Sequence, residues 1–205
     1  MTRTLITVPM KALGGSKTRL SGHISDMQRD RLVRLLYRRT LAFLQPVARA
    51  GRADLAVVTA SPEAAALAAA HGFAVIDEPQ SAGLCGAAQR AAAWAVAADY
   101  DRLCILPADL AAPLEGDLDR LLSCKADMVL CPSTDRGTNA LLLSPPDAIR
   151  FRYGPHSTLR HLEEAKARGL DAVVLPLDSL SFDIDTATCL TRAMAEVPAF
   201  AELRA

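Results

Sequence analysis

Short apolar runs alternate with longer helical stretches along the first 130 or so residues, and no other feature constrains the fold as much. Thr4-Leu-Ile-Thr-Val-Pro9, Leu55-Ala-Val-Val-Thr59, Phe73-Ala-Val-Ile76, Leu103 to Leu106 and Met128-Val-Leu-Cys131 have the length and near-continuous apolarity of buried strands. Asp26 reads as the N-cap of a long helix to about Leu44, with Leu32, Leu35, Leu36 and Phe43 on one stripe. Pro62 opens an alanine-rich helix that Gly72 stops. A loop from Asp77 to Gly86 leads into a helix over Ala87 to Ala98, and Leu114 to Ser123 reads as another helix. Strands joined through helices predict a parallel sheet with right-handed crossovers. After Cys131 the pattern loosens. Ala140-Leu-Leu-Leu143 and Ala172-Val-Val-Leu175 read as strands, Ser157 as the cap of a helix to about Arg168, and Ala187 to Glu196 as a closing helix. No internal repeat or linker interrupts the chain. The expected architecture is α/β, a mostly parallel central sheet flanked by helices, with residues 1–205 as one domain.

The apolar run at Leu103 to Leu106 stops at Pro107 and delivers a carboxylate, Asp109, at its carboxyl end. In open α/β sheets that edge is where ligands bind. Far downstream, Ser181-Phe-Asp-Ile-Asp-Thr186 carries Asp183 and Asp185 at i and i+2, which on extended backbone share one face. Alone, Asp109 reads equally as a turn cap, and the later pair as charges favourable to a helix N-terminus. Jointly placed at one sheet edge, the three carboxylates would make a hard-cation site suited to Mg²⁺.

The first strand runs into Lys11-Ala-Leu-Gly-Gly-Ser-Lys-Thr-Arg-Leu20. Lys11, Lys17 and Arg19 could neutralise a triphosphate while backbone N–H groups approach its oxygens. The loop is neither a P-loop nor a G-x-G-x-x-G turn, and such a loop is more often simply solvated. Composition narrows the partners. Acids and bases number 23 each, which speaks against nucleic-acid or other polyanion binding. No apolar run approaches the roughly 20 residues of a membrane span, and the N-terminus lacks a signal-peptide core. Five scattered cysteines without a C-x-x-C pair fit reduced thiols in a cytoplasmic protein, and the four histidines show no zinc spacing. Trp94, at helical spacing with Ala87, Ala91 and Ala98, reads as packing.

Val8-Pro-Met-Lys11, Ser16-Lys-Thr-Arg-Leu20, Gly83-Leu84, Leu106-Pro-Ala-Asp-Leu110, Gly137-Thr-Asn-Ala-Leu141, Tyr153-Gly-Pro-His-Ser157 and Asp183-Ile-Asp-Thr186 follow one another in register. Over nearly its whole length the chain resembles the 2-phospho-L-lactate guanylyltransferases of coenzyme F-420 biosynthesis, a family whose relatives use phosphoenolpyruvate or 3-phosphoglycerate. The resemblance implies a Rossmann-like nucleotidyltransferase domain of the glycosyltransferase-A type. It implies GTP as donor, a small phosphorylated three-carbon acid as acceptor and pyrophosphate as product. It implies Asp109, Asp183 and Asp185 as Mg²⁺ ligands, with Lys11, Lys17, Arg19 and Asp109 as the catalytic set. Thr138, Gly154 and Ser157 would hold the acceptor, joined by Gly83, Asn139 and His156 as substrate contacts, although a turn histidine such as His156 is more often solvated. It leaves room for a homodimer. Three departures stand out: Cys85 where the family carries asparagine after Gly-Leu, Asp109-Leu-Ala-Ala-Pro113 in place of Asp-Leu-Pro, and Asp185-Thr-Ala-Thr-Cys-Leu190 in place of Asp-Thr-Pro-Glu-Asp-Leu. The rival readings are a nucleotidyltransferase for another cofactor, of the molybdopterin type, and a nucleotide-binding module without turnover.

Overall fold

A computed structural model describes residues 2–78 and 82–200. The alternation forms β1 (Thr4–Pro9), α1 (Asp26–Arg49), β2 (Asp54–Thr59), α2 (Pro62–Ala70), β3 (Ala74–Asp77), α3 (Gly83–Ala97), β4 (Arg102–Ile105), α4 (Glu115–Ser123) and β5 (Met128–Pro132). Then come β6 (Thr138–Leu143), α5 (Ser157–Ala167), β7 (Ala172–Val174), the short α6 (Asp178–Ser181) and α7 (Ala187–Glu196). The seven strands make one sheet in the order β3-β2-β1-β4-β6-β5-β7. β6 runs antiparallel to both neighbours and the other pairings are parallel. A parallel crossover needs a helix-length connection, whereas only Ser133 to Gly137 separate β5 from β6. The short link forces a hairpin, which places β6 between β5 and β4.

Strand alternation divides the core into two layers. Ile6, Val8, Leu55, Val57, Cys104 and Val129 face one way, against Val33, Tyr37, Leu41 and Leu44 of α1 and residues of α2 and α4. Leu5, Ala56, Val58, Leu103, Ile105 and Leu130 face the other way, against the alanine face of α3 and Ala165 of α5. Trp94 packs beside this second layer and stacks on Tyr100 at 5.8 Å, as its spacing suggests. A third cluster lies beyond the sheet. Leu20, Leu32 and Leu36 meet Ala111, Phe182, Ile184, Leu190 and Phe200. It fastens the loop after β1, the segment after β4 and the late acidic segment to one another.

Three local expectations need correction. Ser25, rather than Asp26, caps α1, accepting from the Gln28 N–H in a reciprocal capping box. A serine hydroxyl one residue earlier reaches the first-turn N–H groups from extended backbone, which leaves Asp26 to favour the dipole from inside the helix. Gly83 and Gly86 belong to the first turn of α3 rather than to a loop, and residues 79–81 of that loop lie outside the described residues. Ser157 does not cap α5. His156 occupies the N-cap position with φ 56°, without a side-chain cap, and the Ser157 hydroxyl turns inward.

Candidate active site

The sheet order reverses at β1. β2 and β3 extend to one side and β4 to the other, so the carboxyl ends of β1 and β4 form the topological switch point. A cleft opens there. It is walled by Pro9 to Ala12, Ser16 and Lys17 after β1, by Ile105 to Asp109 after β4, and by Val33, Leu36, Leu84, Thr138, Asn139 and Tyr153. Its cavity volume is about 220 Å³, somewhat below the roughly 300–1,000 Å³ of drug-sized ligand sites, and it opens to solvent at its mouth. A shallow extension, lined by Thr18, Arg19 and Asp185, continues from the same Lys17 and Asp109.

The late acidic segment reaches the cleft by pairing. Leu110 and Asp183 form an isolated antiparallel bridge, with the Ala111 N–H donating to the Phe182 carbonyl at 2.9 Å. Phe182 and Ile184 point into the third cluster, so Asp183 and Asp185 turn to the opposite face. One carboxylate oxygen from each of Asp109, Asp183 and Asp185 lies within 4.8 Å of the others. This is the one such group of potential ligands among the described residues.

Lys17 answers that charge. It takes left-handed backbone, φ 56°, and leads a tight turn whose Leu20 anchors in the third cluster. Its side chain is 9% exposed, and its ammonium donates to Asp109 and, at 2.5 Å, to Asp185. Burial works against the ammonium, but Asp109 and then Asp185 outweigh it and hold the pKa above 10.5. Asp183 goes the other way. Burial first, then Asp109 and Asp185, push its pKa up to about 6, although the Asn139 amide and Lys17 oppose the shift. Asn139 Nδ2 donates to the Leu180 carbonyl at 3.0 Å and to Asp183 Oδ1 at 3.3 Å. Arg19 lies 3.7 Å from Asp185 and is 67% exposed, poised at the rim. The two carboxylates that meet the ammonium, with Asp183 beside them, suit a Mg²⁺-like ion, which takes one or two carboxylates together with waters and phosphates.

The other residues singled out in the sequence are distributed unevenly. Lys11, Thr138 and Asn139 border the cleft. Gly83 sits at the start of α3 with φ 71°, beside the cleft-lining Leu84. Gly154 and His156 are exposed. Ser157 is buried behind Thr138, its Oγ donating to Thr138 Oγ1 at 3.1 Å. Cys85 is on a helix, its Sγ 3.7 Å from the Tyr153 carbonyl. The sequence reading passed over Tyr153 as a cleft wall and His161 behind Thr138. His161 carried a signal, since it lies four residues after Ser157 on one face of α5.

An acidic trio, a cationic loop and a cleft at the switch point of this sheet suit a nucleotidyltransferase, the class to which the chain's family and relatives assign it. The backbone matches a nucleotidyl transferase from Methanothermobacter thermautotrophicus with a TM-score of 0.65, at 13% identity, over 98% of this chain and 99% of that one. More particularly, the chain belongs to the family described as guanylyl transferase CofC like, whose model matches residues 4–196. A 3-phospho-D-glycerate guanylyltransferase from Colwellia psychrerythraea is 38% identical over 187 residues, 90% of this chain and 88% of that protein. A 2-phospho-L-lactate guanylyltransferase from Methanothermobacter thermautotrophicus is 32% identical over 90% of this chain and 81% of its own length. A phosphoenolpyruvate guanylyltransferase from Sphaerobacter thermophilus is 32% identical over 95% of this chain and 94% of its own.

Proposed function

We propose that this enzyme transfers GMP from GTP to the phosphate of a small three-carbon phospho-acid and releases pyrophosphate. An acceptor phosphate oxygen attacks the α-phosphorus, and the bond to the β-phosphate's bridging oxygen breaks with its electron pair leaving on pyrophosphate. The acceptor is already anionic, so no protein nucleophile is required, and catalysis is positioning plus charge stabilisation. The observation that carries the reading is the convergence of Asp109, Asp183 and Asp185, two of them paired with Lys17, beside the cleft. Those three aspartates would hold Mg²⁺, which when bound supplies neutralising charge to the phosphates and to the leaving pyrophosphate.

Lys17, released from the aspartates, reaches the triphosphate from within the cleft, with Lys11 on the cleft wall and Arg19 at the rim. The apolar wall of Val33, Leu36 and Leu84 suits a base and ribose face. Thr138, backed by Ser157 and the uncapped N-terminus of α5, offers donors to the acceptor's phosphate or carboxylate. Gly154, His156, Gly83 and Asn139 complete the proposed substrate contacts.

The relatives act on 3-phospho-D-glycerate, 2-phospho-L-lactate and phosphoenolpyruvate by name. We assign this chain to the same acceptor class, with the first favoured by the 38% identity. On this reading the enzyme works in the cytoplasm, in the route to coenzyme F-420 or a close relative of it. Among the described residues no helix is long and apolar enough to cross a membrane.

Pyrophosphate release, measured for four nucleoside triphosphates against the three phospho-acids, tests the proposal. Release confined to GTP and requiring a phospho-acid is expected. Release with a sugar phosphate, or nucleotide binding without release, would overturn it.

A further inference from the structure

His161 is fully buried in α5, and both of its ring nitrogens are bonded. Nε2 lies 2.9 Å from the Arg152 backbone N, and Nδ1 lies 3.1 Å from Thr138 Oγ1. A backbone N–H can only donate, so Nε2 carries a lone pair. The neutral ring has one proton, which must then sit on Nδ1 and be given to Thr138. Burial keeps the ring neutral, pushing its pKa down to about 4 against the pull of Glu164. The Tyr153 ring meets the imidazole edge to face at 5.0 Å and fixes its plane.

The protons of the cluster can be counted. Ser157 and Thr138 hydroxyls, 3.1 Å apart, own two protons, and one of them lies between the two oxygens. His161 donates into the pair, so it can absorb neither. With Ser157 donating, both lone pairs of Thr138 Oγ1 are taken, and the Thr138 proton is the one left over. Ser157 is 1% and Thr138 8% exposed, and of the two only Thr138 borders the cleft. The free O–H therefore opens onto the cleft, on a hydroxyl with a proton to give and no lone pair left to accept with.

We infer that His161 is a positioning residue of the acceptor subsite: its committed proton makes Thr138 an obligatory donor, tuned to an anionic oxygen of the acceptor. Such a bond to a charged oxygen is roughly twice as strong as one to a neutral group. The inference rests on the proposed transfer for the identity of the acceptor, but the tautomer itself does not.

Two measurements test it. The first is the side-chain ¹⁵N–¹H correlation spectrum of the labelled protein, with His161→Gln to assign the ring. It should show a neutral ring protonated on Nδ1 at neutral pH. A proton on Nε2, or a charged ring, would overturn the inference even if no acceptor were ever found. The second is steady-state kinetics. His161→Leu keeps bulk without a donor and should raise the acceptor KM by about 10-fold to 100-fold, leaving the GTP KM within about 2-fold. His161→Asn restores a donor near the Nδ1 position and should recover most of that loss. A rise in both KM values, or an asparagine variant no better than leucine, would reduce His161 to a packing residue. Inhibition by inorganic phosphate and by lactate locates the contact. Weakened inhibition by one of them in His161→Leu assigns Thr138 to that anionic group, and weakening of neither counts against the role.

Discussion

Replacing Lys17 by methionine keeps the side-chain stem and deletes the charge lying against Asp109 and Asp185. At the 2.5 Å separation from Asp185 the gross attraction is about 7 kcal/mol for an effective dielectric constant of about 20. Desolvation of a lysine side chain that is only 9% exposed cancels most of this, and breaking a fully buried pair costs about 3–5 kcal/mol. Here Asp109 and Asp185 are 28% and 40% exposed, so solvent screens the carboxylates left behind. The expected loss falls to about 1–3 kcal/mol. For a chain of this size each kcal/mol moves Tm by about 2–4 °C, so the metal-free variant should melt roughly 2–12 °C lower. Neutral pH is the right condition. Lys17 has a raised folded pKa, so its contribution is present below the ordinary 10.5 and is lost only as pH rises through the still higher folded value. Calorimetry in EDTA and in Mg²⁺ reads the effect. Mg²⁺ should raise Tm more in the variant than in the parent, because in the parent it must displace an ammonium. A variant as stable as the parent in EDTA, or a larger Mg²⁺ shift in the parent, would refute the stand-in role of Lys17.

Asp109→Asn leaves Asp185 beside Lys17, so it should cost less than Lys17→Met, about 1 kcal/mol, and lower pyrophosphate release by at least about 100-fold, since it removes a charge needed at the reacting phosphates; near-normal turnover would take Asp109 out of the site. Asp183, with its pKa raised to about 6, is protonated below that value in the metal-free protein. Its raised pKa disfavours folding as pH climbs from 3.8 to about 6, by at most about 3 kcal/mol, and metal binding must expel the proton below pH 6. Divalent-ion affinity by calorimetric titration should therefore fall about 10-fold per pH unit below 6 and be flat above it, as far as this group is concerned. Arg102 donates at 2.6 Å to both the Leu122 and Cys124 carbonyls at the end of α4. Arg102→Met should cost about 2–3 kcal/mol by denaturant melts while sparing turnover at low temperature; an unchanged midpoint would mean water replaces the guanidinium.

Much of this was legible before any coordinates. The apolar runs marked the strands because a strand buried on both faces needs continuous apolarity. The closing helix, Ala187–Glu196, has the bounds read from sequence. The common face of Asp183 and Asp185 follows from the two-residue period of extended chain. The errors lie where local signals compete. Ser25 and Asp26 are both good caps and adjacent, so only the hydrogen bond decides between them. The antiparallel insertion of β6 was missed because its apolar run looks the same in either direction. The bond from Asn139 to Asp183 is not legible in the sequence, because it exists only once β6 lies beside α6.

The chain's own pattern settled its α/β class and singled out the carboxylates and cations of the candidate site, because periodicity and residue type are local properties. Register and contact are not. Bringing Asp109 to Asp183 across 74 residues took the Leu110–Asp183 bridge and the apolar cluster that clamps three loops together. Turning Lys17 into that acidic pocket took a left-handed residue held by Leu20. Orienting the Thr138 proton took a histidine whose tautomer is dictated by a backbone N–H nine residues away. Each of these depends on burial and pairing between distant segments, which only the assembled tertiary structure supplies.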